Sequence, residues 1–503
     1  MIPFPAWKPD AYSLAKGFAE NVSGVLPGDG GWQPWPALEA LSLAVGAAIR
    51  GAFVARSSSG AAVIFAFTAT KAYKFAGIAS SWTEITRGIG TSVDNYATAT
   101  DDTVMIDQFG DIVIATNGTD EPQAFNLTSS TEFADLAGSP PSAARGVKAV
   151  GDHVWLWGFT SALGPSGIVP NGLSQINWSG FRDYDYWTLG EKSCSFASFP
   201  TGGFVQNVTT ELAGLVFLDR QIWRFVKDPI KVFDFAPIQK DQGTQAPFSV
   251  VQDESDAYFY GTKGFARIGA GGLAQIGHEW TNEWFRETVN QARIKTIIGA
   301  LDPVRKRVYW AYPGTSNASS YTRDGIICFD AMNQERPWTK ADIQTDYIFS
   351  AATPGATLSD LASLYTNLAG VPYAIGSSAW LGGAPRLGAF DGNNKLAFFT
   401  GNGIEATVQT GDFEPIPGQR FYVNGFRVKG DSSAVTGRVA VKERPQDDRT
   451  WKSSASLTAQ GFVPTRASGK VLAVEATIPA DEQWSFLSGI DFEAGDLRPD
   501  GRR

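Results

Sequence analysis

Histidine, cysteine and methionine are almost missing from this chain of 503 residues: two His, two Cys and three Met. Each scarcity removes a class of chemistry. With only His153 and His278, imidazole triads and imidazole metal sites have almost nothing to work with. Cys194 and Cys328 lie far apart and match no metal or redox spacing, which predicts two small buried hydrophobes and no disulfide framework. No phosphate-binding glycine loop, His-Glu-x-x-His or Gly-x-Ser-x-Gly motif occurs. Long apolar runs are absent too. The most apolar stretch, residues 40–55, is interrupted by Arg50 and is too short to span a bilayer. The first residues lack a basic segment followed by an apolar one, so no export signal is expected. Excess positive charge is also lacking: 42 basic against 51 acidic residues leave a net charge of -9. That argues against gripping nucleic acid by neutralising phosphates, though not against a surface that DNA slides past.

What is present in quantity is glycine (54), proline (27) and aromatic residues, including 16 Trp. Together with short alternating apolar runs, these predict an all-β protein of many strands and turns. A loose unit recurs roughly every 40–60 residues, the range of four-stranded propeller blades. Instances are "AAVIFAFTATKAYKFAG", "DIVIATNGTDEPQAFNL", "RGVKAVGDHVWLWGFT", "VTTELAGLVFLDRQIWRFV", "DESDAYFYGTKGFARIGAGG", "ALDPVRKRVYWAYP" with "DGIICFD", and "APRLGAFDGNNKLAFFTGNG". Asn117-Gly118, Asp324-Gly325 and Asp391-Gly392 supply turn signals. One blade cannot bury both of its faces, whereas a ring of blades buries them mutually. The expected fold is a β-propeller of about six or seven blades over residues 51–410. An extended arm precedes it (1–50), a small β-sandwich follows (411–497), and 498–503 form a frayed tail. Two helices interrupt the pattern, one in "GHEWTNEWFRETVNQARIKT" and a shorter one over residues 357–368.

Candidate chemistry is sparse. "SQINWSGFRDYDYWTLGE" (residues 174–191) sets Asp183, Asp185 and Glu191 among aromatics, and Asp253, Glu254 and Asp256 form a second acidic group. Such carboxylates suit a glycoside-cleaving pair, and Trp155, Trp157, Trp178, Tyr184, Tyr186 and Trp187 suit sugar stacking. The same residues also suit turn capping and packing between blades. Arg182, Asp183 and Asp185 are therefore candidate contact residues. So are Arg305, Lys306 and Arg307, which the Asp302-Pro303 turn places on a hairpin. No cofactor or metal is expected.

Several segments, taken in order, resemble a known family. They are "ENVSGVLPGDGGWQPWPALEAL", "INWSGFRDYDYW", "LVFLDRQIWRF", "EWTNEWF", "ALDPVRKRVYWAYP", "DGIICFD", "RLGAFDGNNKLAFFTGNGIEATVQTGDF", "RFYVNGFRV" and "WSFLSGIDFEAG". Their order is similar to that in tail hub or nozzle proteins of short-tailed phages, also called tail tubular protein B or packaged-DNA stabilisation proteins. The resemblance implies a virion protein assembled in the host cytoplasm, with six copies ringing the tail channel below the portal and its adaptor. It also implies contacts with tail fibres or spikes and with double-stranded DNA passing through, with no integral membrane association. The family has no catalytic residues to carry over. A mildly acidic conduit would let DNA slide. The rival expectation is a glycan-binding or glycan-hydrolysing propeller serving as a tail-associated receptor binder. A generic interaction propeller is disfavoured because no regular Trp-Asp blade signature appears.

Overall fold

The computed structural model describes residues 2–11, 17–75, 82–90, 95–163, 171–212, 214–317, 321–354, 382–492 and 496–500. The short helix expected over residues 357–368 lies outside them. The protein is an all-β propeller. Six blades are separate four-stranded antiparallel sheets, and four further strands between residues 298 and 341 take a seventh place at one end of a ten-stranded sheet. In chain order the blades cover residues 51–84, 105–135, 146–198, 205–239, 251–275 and 298–341, with 345–403 last. The innermost strand of each is its first. The innermost strand of blade 7 (Thr345–Ala352) packs against that of blade 1 (Gly51–Arg56), which closes the ring.

The second strand of each blade explains why the sequence pattern reads as it does. Ile112–Thr116, His153–Trp157, Leu215–Leu218 and Arg307–Tyr312 are buried at every position. A strand with a blade on either side needs apolar residues on both faces, so it reads as a continuous run and not as an alternation. The seams are aromatic. Trp155 and Trp178 from blade 3 meet Phe225, Phe233 and Phe235 from blade 4 at centroid distances of 4.6–6.3 Å. Trp187 packs with Ile114 and Leu136 of blade 2 and Val147 of blade 3.

The described residues among the first fifty are woven through the fold. Pro36–Ala44 is the outermost strand of blade 7, pairing with Lys395–Gly403 and tying the two ends of the propeller together. Ala19–Ser23 joins blade 6 to Ala406–Thr410, making one sheet that continues through Val471–Ile478 and Thr436–Lys442. A second, seven-stranded sheet contains Val25–Gly28, Gly31–Pro34, Phe421–Gly430, Val463–Gly469 and Leu487–Asp491. The two sheets share a core that also includes Trp310 and Trp338 of blade 6. Leu497–Pro499 pairs with Phe421–Val423, so that part of the expected tail is a strand.

The helix expected from the aromatic spacing is shorter than the motif. It runs over Asn282–Thr288, and a 3-10 turn over Gln291–Thr296 follows. Phe285 is fully buried against Tyr260, Phe265 and Tyr312. Asn117-Gly118 and Asp391-Gly392 lie at turns, with Gly118 at φ +79°, whereas Gly325 opens a strand. Among the described residues, no helix is long and apolar enough to cross a membrane.

Candidate functional site

The blade geometry sorts every loop onto one of two faces. The innermost strands start on one, here the leading face, which also carries the connections between second and third strands. The hairpins joining strands one to two and three to four lie on the other, the hairpin face. Between the faces runs a central channel of about 290 Å³, lined from all seven blades by residues such as Phe53, Met105, Lys148, Thr209, Gln252, Gly299 and Tyr347. Lys148 is held by Asp107 at 3.4 Å.

All six contact candidates fall on the hairpin face, in two places. Arg182, Asp183 and Asp185 lie in the loop between the third and fourth strands of blade 3 (residues 179–194). Arg182 donates from Nε to Asp152 at 2.9 Å, and the side chain is otherwise exposed. Lys227 bridges Asp152 (3.8 Å) and Glu211 (2.8 Å), linking the first hairpin of blade 3, which holds Arg182, to blade 4. Asp183 accepts from Lys192 Nζ at 2.6 Å and shares a hydrogen bond with Asp185. That bond holds Asp183 below the ordinary carboxylate value, helped by the Lys192 ammonium, and lifts Asp185 above it, helped by burial. Two carboxyls within hydrogen-bond reach of each other sit closer than the ~5–9 Å separations of glycosidase pairs. Tyr186 donates its hydroxyl to Glu191, which occupies the third acid of the motif. Arg182, Lys192 and Ser193 all have positive φ (53°, 44° and 66°), so three non-glycine residues hold left-handed backbone in one loop.

Arg305, Lys306 and Arg307 form the first hairpin of blade 6. Lys306 reaches back to blade 5, 2.5 Å from Asp253 and 3.5 Å from Glu254. Arg307 is buried, paired with Asp330 at 2.7 Å and donating to the Pro27 carbonyl at 2.5 Å. These two cations and the second acidic group thus stitch blade to blade and blade to N-terminal hairpin. Arg305 alone points outward, at the rim of a cleft with Leu26, Trp35, Tyr309 and Phe399. The fold does not bring the two groups together, since they sit on blades 3 and 6.

His153 is buried, bonded through Nδ1 to the Ser179 carbonyl at 2.7 Å and flanked by Phe181 and Phe233. Burial lowers its pKa. Both cysteines are buried and free, and burial pushes the Cys194 thiol up to about 11. Among the described residues no group of three or more His, Cys, Asp or Glu could hold a metal ion.

No protein-family model matches the chain, and no curated protein matches it. Among solved structures, the chain is similar to the N-terminal domain of Nup159 at 11% identity and a TM-score of 0.35, covering 73% of this chain and 95% of that one. It is similar to YCF48 in complex with a D1 peptide at 12% identity and a TM-score of 0.34, covering 60% and 83%. A glycoside hydrolase is similar at 10% identity and a TM-score of 0.28, covering 90% and 99%. Likeness at this level carries no functional argument.

Sequence reasoning missed a cluster on the leading face. Tyr321 lies between two guanidiniums, Arg50 at 3.4 Å and Arg323 at 4.5 Å from its ring centroid, and its hydroxyl is 2.8 Å from Thr103. Arg323 is completely buried and donates to the carbonyls of Thr296 and Asp346. Its sequence signal, "YTRDG", is too ordinary to have marked it.

Proposed function

We propose that the chain is a structural subunit of a short-tailed phage tail, a hub or nozzle protein that rings the DNA path below the portal and adaptor. In this reading it retains packaged DNA, conducts it during ejection, and carries fibres or spikes. It works without catalysis, inside the virion, after assembly in the host cytoplasm. The observation that carries the reading is the ordered run of family-like segments, which extends from the N-terminal strands through blades 3, 4, 6 and 7 to the C-terminal sheets. The way these segments join supports it. Residues 19–44 link the closing blade, blade 6 and the C-terminal sheets into one body, as a subunit loaded during packaging would require. A duplex whose major groove alone is about 12 Å wide cannot enter the propeller channel, so its path runs between copies. Head-to-tail contacts that close by rotation form such rings, and six copies are expected.

Electron microscopy of intact particles, with native mass spectrometry of the chain mixed with its adaptor, tests this reading. Six copies around the tail axis are expected. Absence of the chain from particles would sink it.

A further inference from the structure

The leading face funnels toward the channel through a cavity of about 400 Å³, within the range of small-molecule sites. Its working groups come from four blades or the segments leading into them: Arg145, Phe204, Gln206, Asp219, Gln245 and Lys295. Lys295 is neutralised by Asp102 at 3.1 Å. Asp219 accepts from the Phe204 amide at 2.8 Å and from Gln206 Nε2 at 2.6 Å, which leaves carboxylate lone pairs facing the cavity without a paired cation. Arg145 is exposed at the rim, and its guanidinium makes no hydrogen bond or ion pair with any described residue. Gln245 is exposed with its amide likewise unengaged. Phe204 presents its ring, 37% exposed.

We propose that this funnel is a binding site for a carboxylated saccharide of one or two sugar units. Arg145 takes the carboxylate through its planar fork. Asp219 accepts from ring hydroxyls, the Gln206 and Gln245 side chains exchange hydrogen bonds with the remaining hydroxyls, and the Phe204 ring covers a C–H face of the sugar. A phosphate is a poorer match: a second negative charge would face the Asp219 carboxylate across a cavity this small, whereas a carboxylate brings only one. A neutral sugar would leave the guanidinium unused. The site is separate from the Asp183–Asp185 pair, which lies on the hairpin face, and it stands or falls independently of assembly into a ring.

The test titrates the full chain calorimetrically with galacturonate, which carries a single carboxylate, and, in parallel, with its methyl ester. N-acetylneuraminic acid, free glutamate and inorganic phosphate serve as further probes. Binding of galacturonate at least about tenfold tighter than the ester is expected, with loss of a similar factor in Arg145→Gln and partial recovery in Arg145→Lys. Gln245→Ala should weaken binding severalfold. Both positions are exposed, so the variants should fold as the parent does, which circular dichroism checks. The proposal is overturned if the acid does not bind, if the ester binds as well, if Arg145→Gln is without effect, or if glutamate or phosphate binds more tightly than either acidic sugar.

Discussion

Arg307 and Asp330 form an ion pair with side chains only 7% and 6% exposed. Removing one partner from such a pair strands a charge in the interior, while replacing both by apolar groups of like size is close to neutral. Asp330→Ala is therefore expected to lower stability by about 3–5 kcal/mol, and the double variant Arg307→Met with Asp330→Leu to recover most of it, both read as urea midpoints. His153 gives a pH prediction. Its folded-state pKa lies below the unfolded value of about 6.5. Over the interval between the two values the unfolded chain binds more protons, so stability is intact above about pH 6.5 and is lost as the pH falls through that interval. The slope from this residue reaches at most about 1.4 kcal/mol per pH unit. His153→Gln, which can still donate to Ser179, should flatten the acid limb of a stability-versus-pH curve; an unchanged limb would show that carboxylates alone set it. The buried fate of His153 was legible from its place before "VWLWG" in a strand. The pairing of Arg307 was not, because its partners Asp330 and Pro27 come from elsewhere in the chain and nothing local separates Arg307 from Arg305.

The short helix Asn282–Thr288 shows the same limit one level up. Its existence and aromatic face follow from the spacing of Trp280, Trp284 and Phe285, but its end does not. The strand-like Val289 at φ -78°, ψ 143° stops it after two turns, where the sequence pattern ran on to Ala292. Its start is also set from far away. Thr281 makes no side-chain capping bond. Instead Asp10 from the N-terminal segment accepts from the backbone amides of Glu283 and Trp284, both at 2.9 Å. A carboxylate there both satisfies free N–H groups and suits the helix dipole. Trp7 adds an edge-on contact with Trp284 at 4.8 Å. Asp10→Ala should then cost about 0.5–2 kcal/mol and speed amide exchange first at Glu283 and Trp284. Exchange unchanged at those two amides would mean that the N-terminal segment is held by Trp7 alone. The strands were easier to read than the helix because period-two alternation and turn residues are local. Even so, the doubly buried second strands such as Ile112–Thr116 break that alternation, and this blurred the blade boundaries.

For the whole chain, the sequence suggested three successive parts divided near residues 50 and 410, since composition shifts there. Strand pairing follows another division. The propeller takes Pro36–Ala44 and the strands from Gly51 to Gly403, while the C-terminal sheets take Ile2–Pro3, Ala19–Ser23, Val25–Gly28 and Gly31–Pro34 together with the strands from Ala406 to Pro499. Long-range pairing of this kind leaves no local trace: Ala19–Ser23 looks like any short alternating run, yet it lies between blade 6 and Ala406–Thr410. The consequence is thermodynamic. Val22 and Val25 of the N-terminal strands, Trp310 and Trp338 of blade 6, and Val439 and Val474 of the C-terminal sheets belong to one contiguous core. Separate domains with a modest interface unfold in separate steps, whereas a shared core couples them. Calorimetry of the full chain should give one transition whose van't Hoff and calorimetric enthalpies agree. Cleavage engineered after Gly403 should not release a folded propeller, because Ala19–Ser23, the strand beside blade 6, would lose its pairing with Ala406–Thr410 and the shared core its C-terminal residues. Two resolved transitions, or a stable propeller fragment with native near-UV dichroism, would show that the joint formed by residues 19–34 is weaker than its buried contacts imply. A subunit that unfolds as one body transmits force from its C-terminal sheets to every blade, the mechanical property that the proposed place in a tail demands.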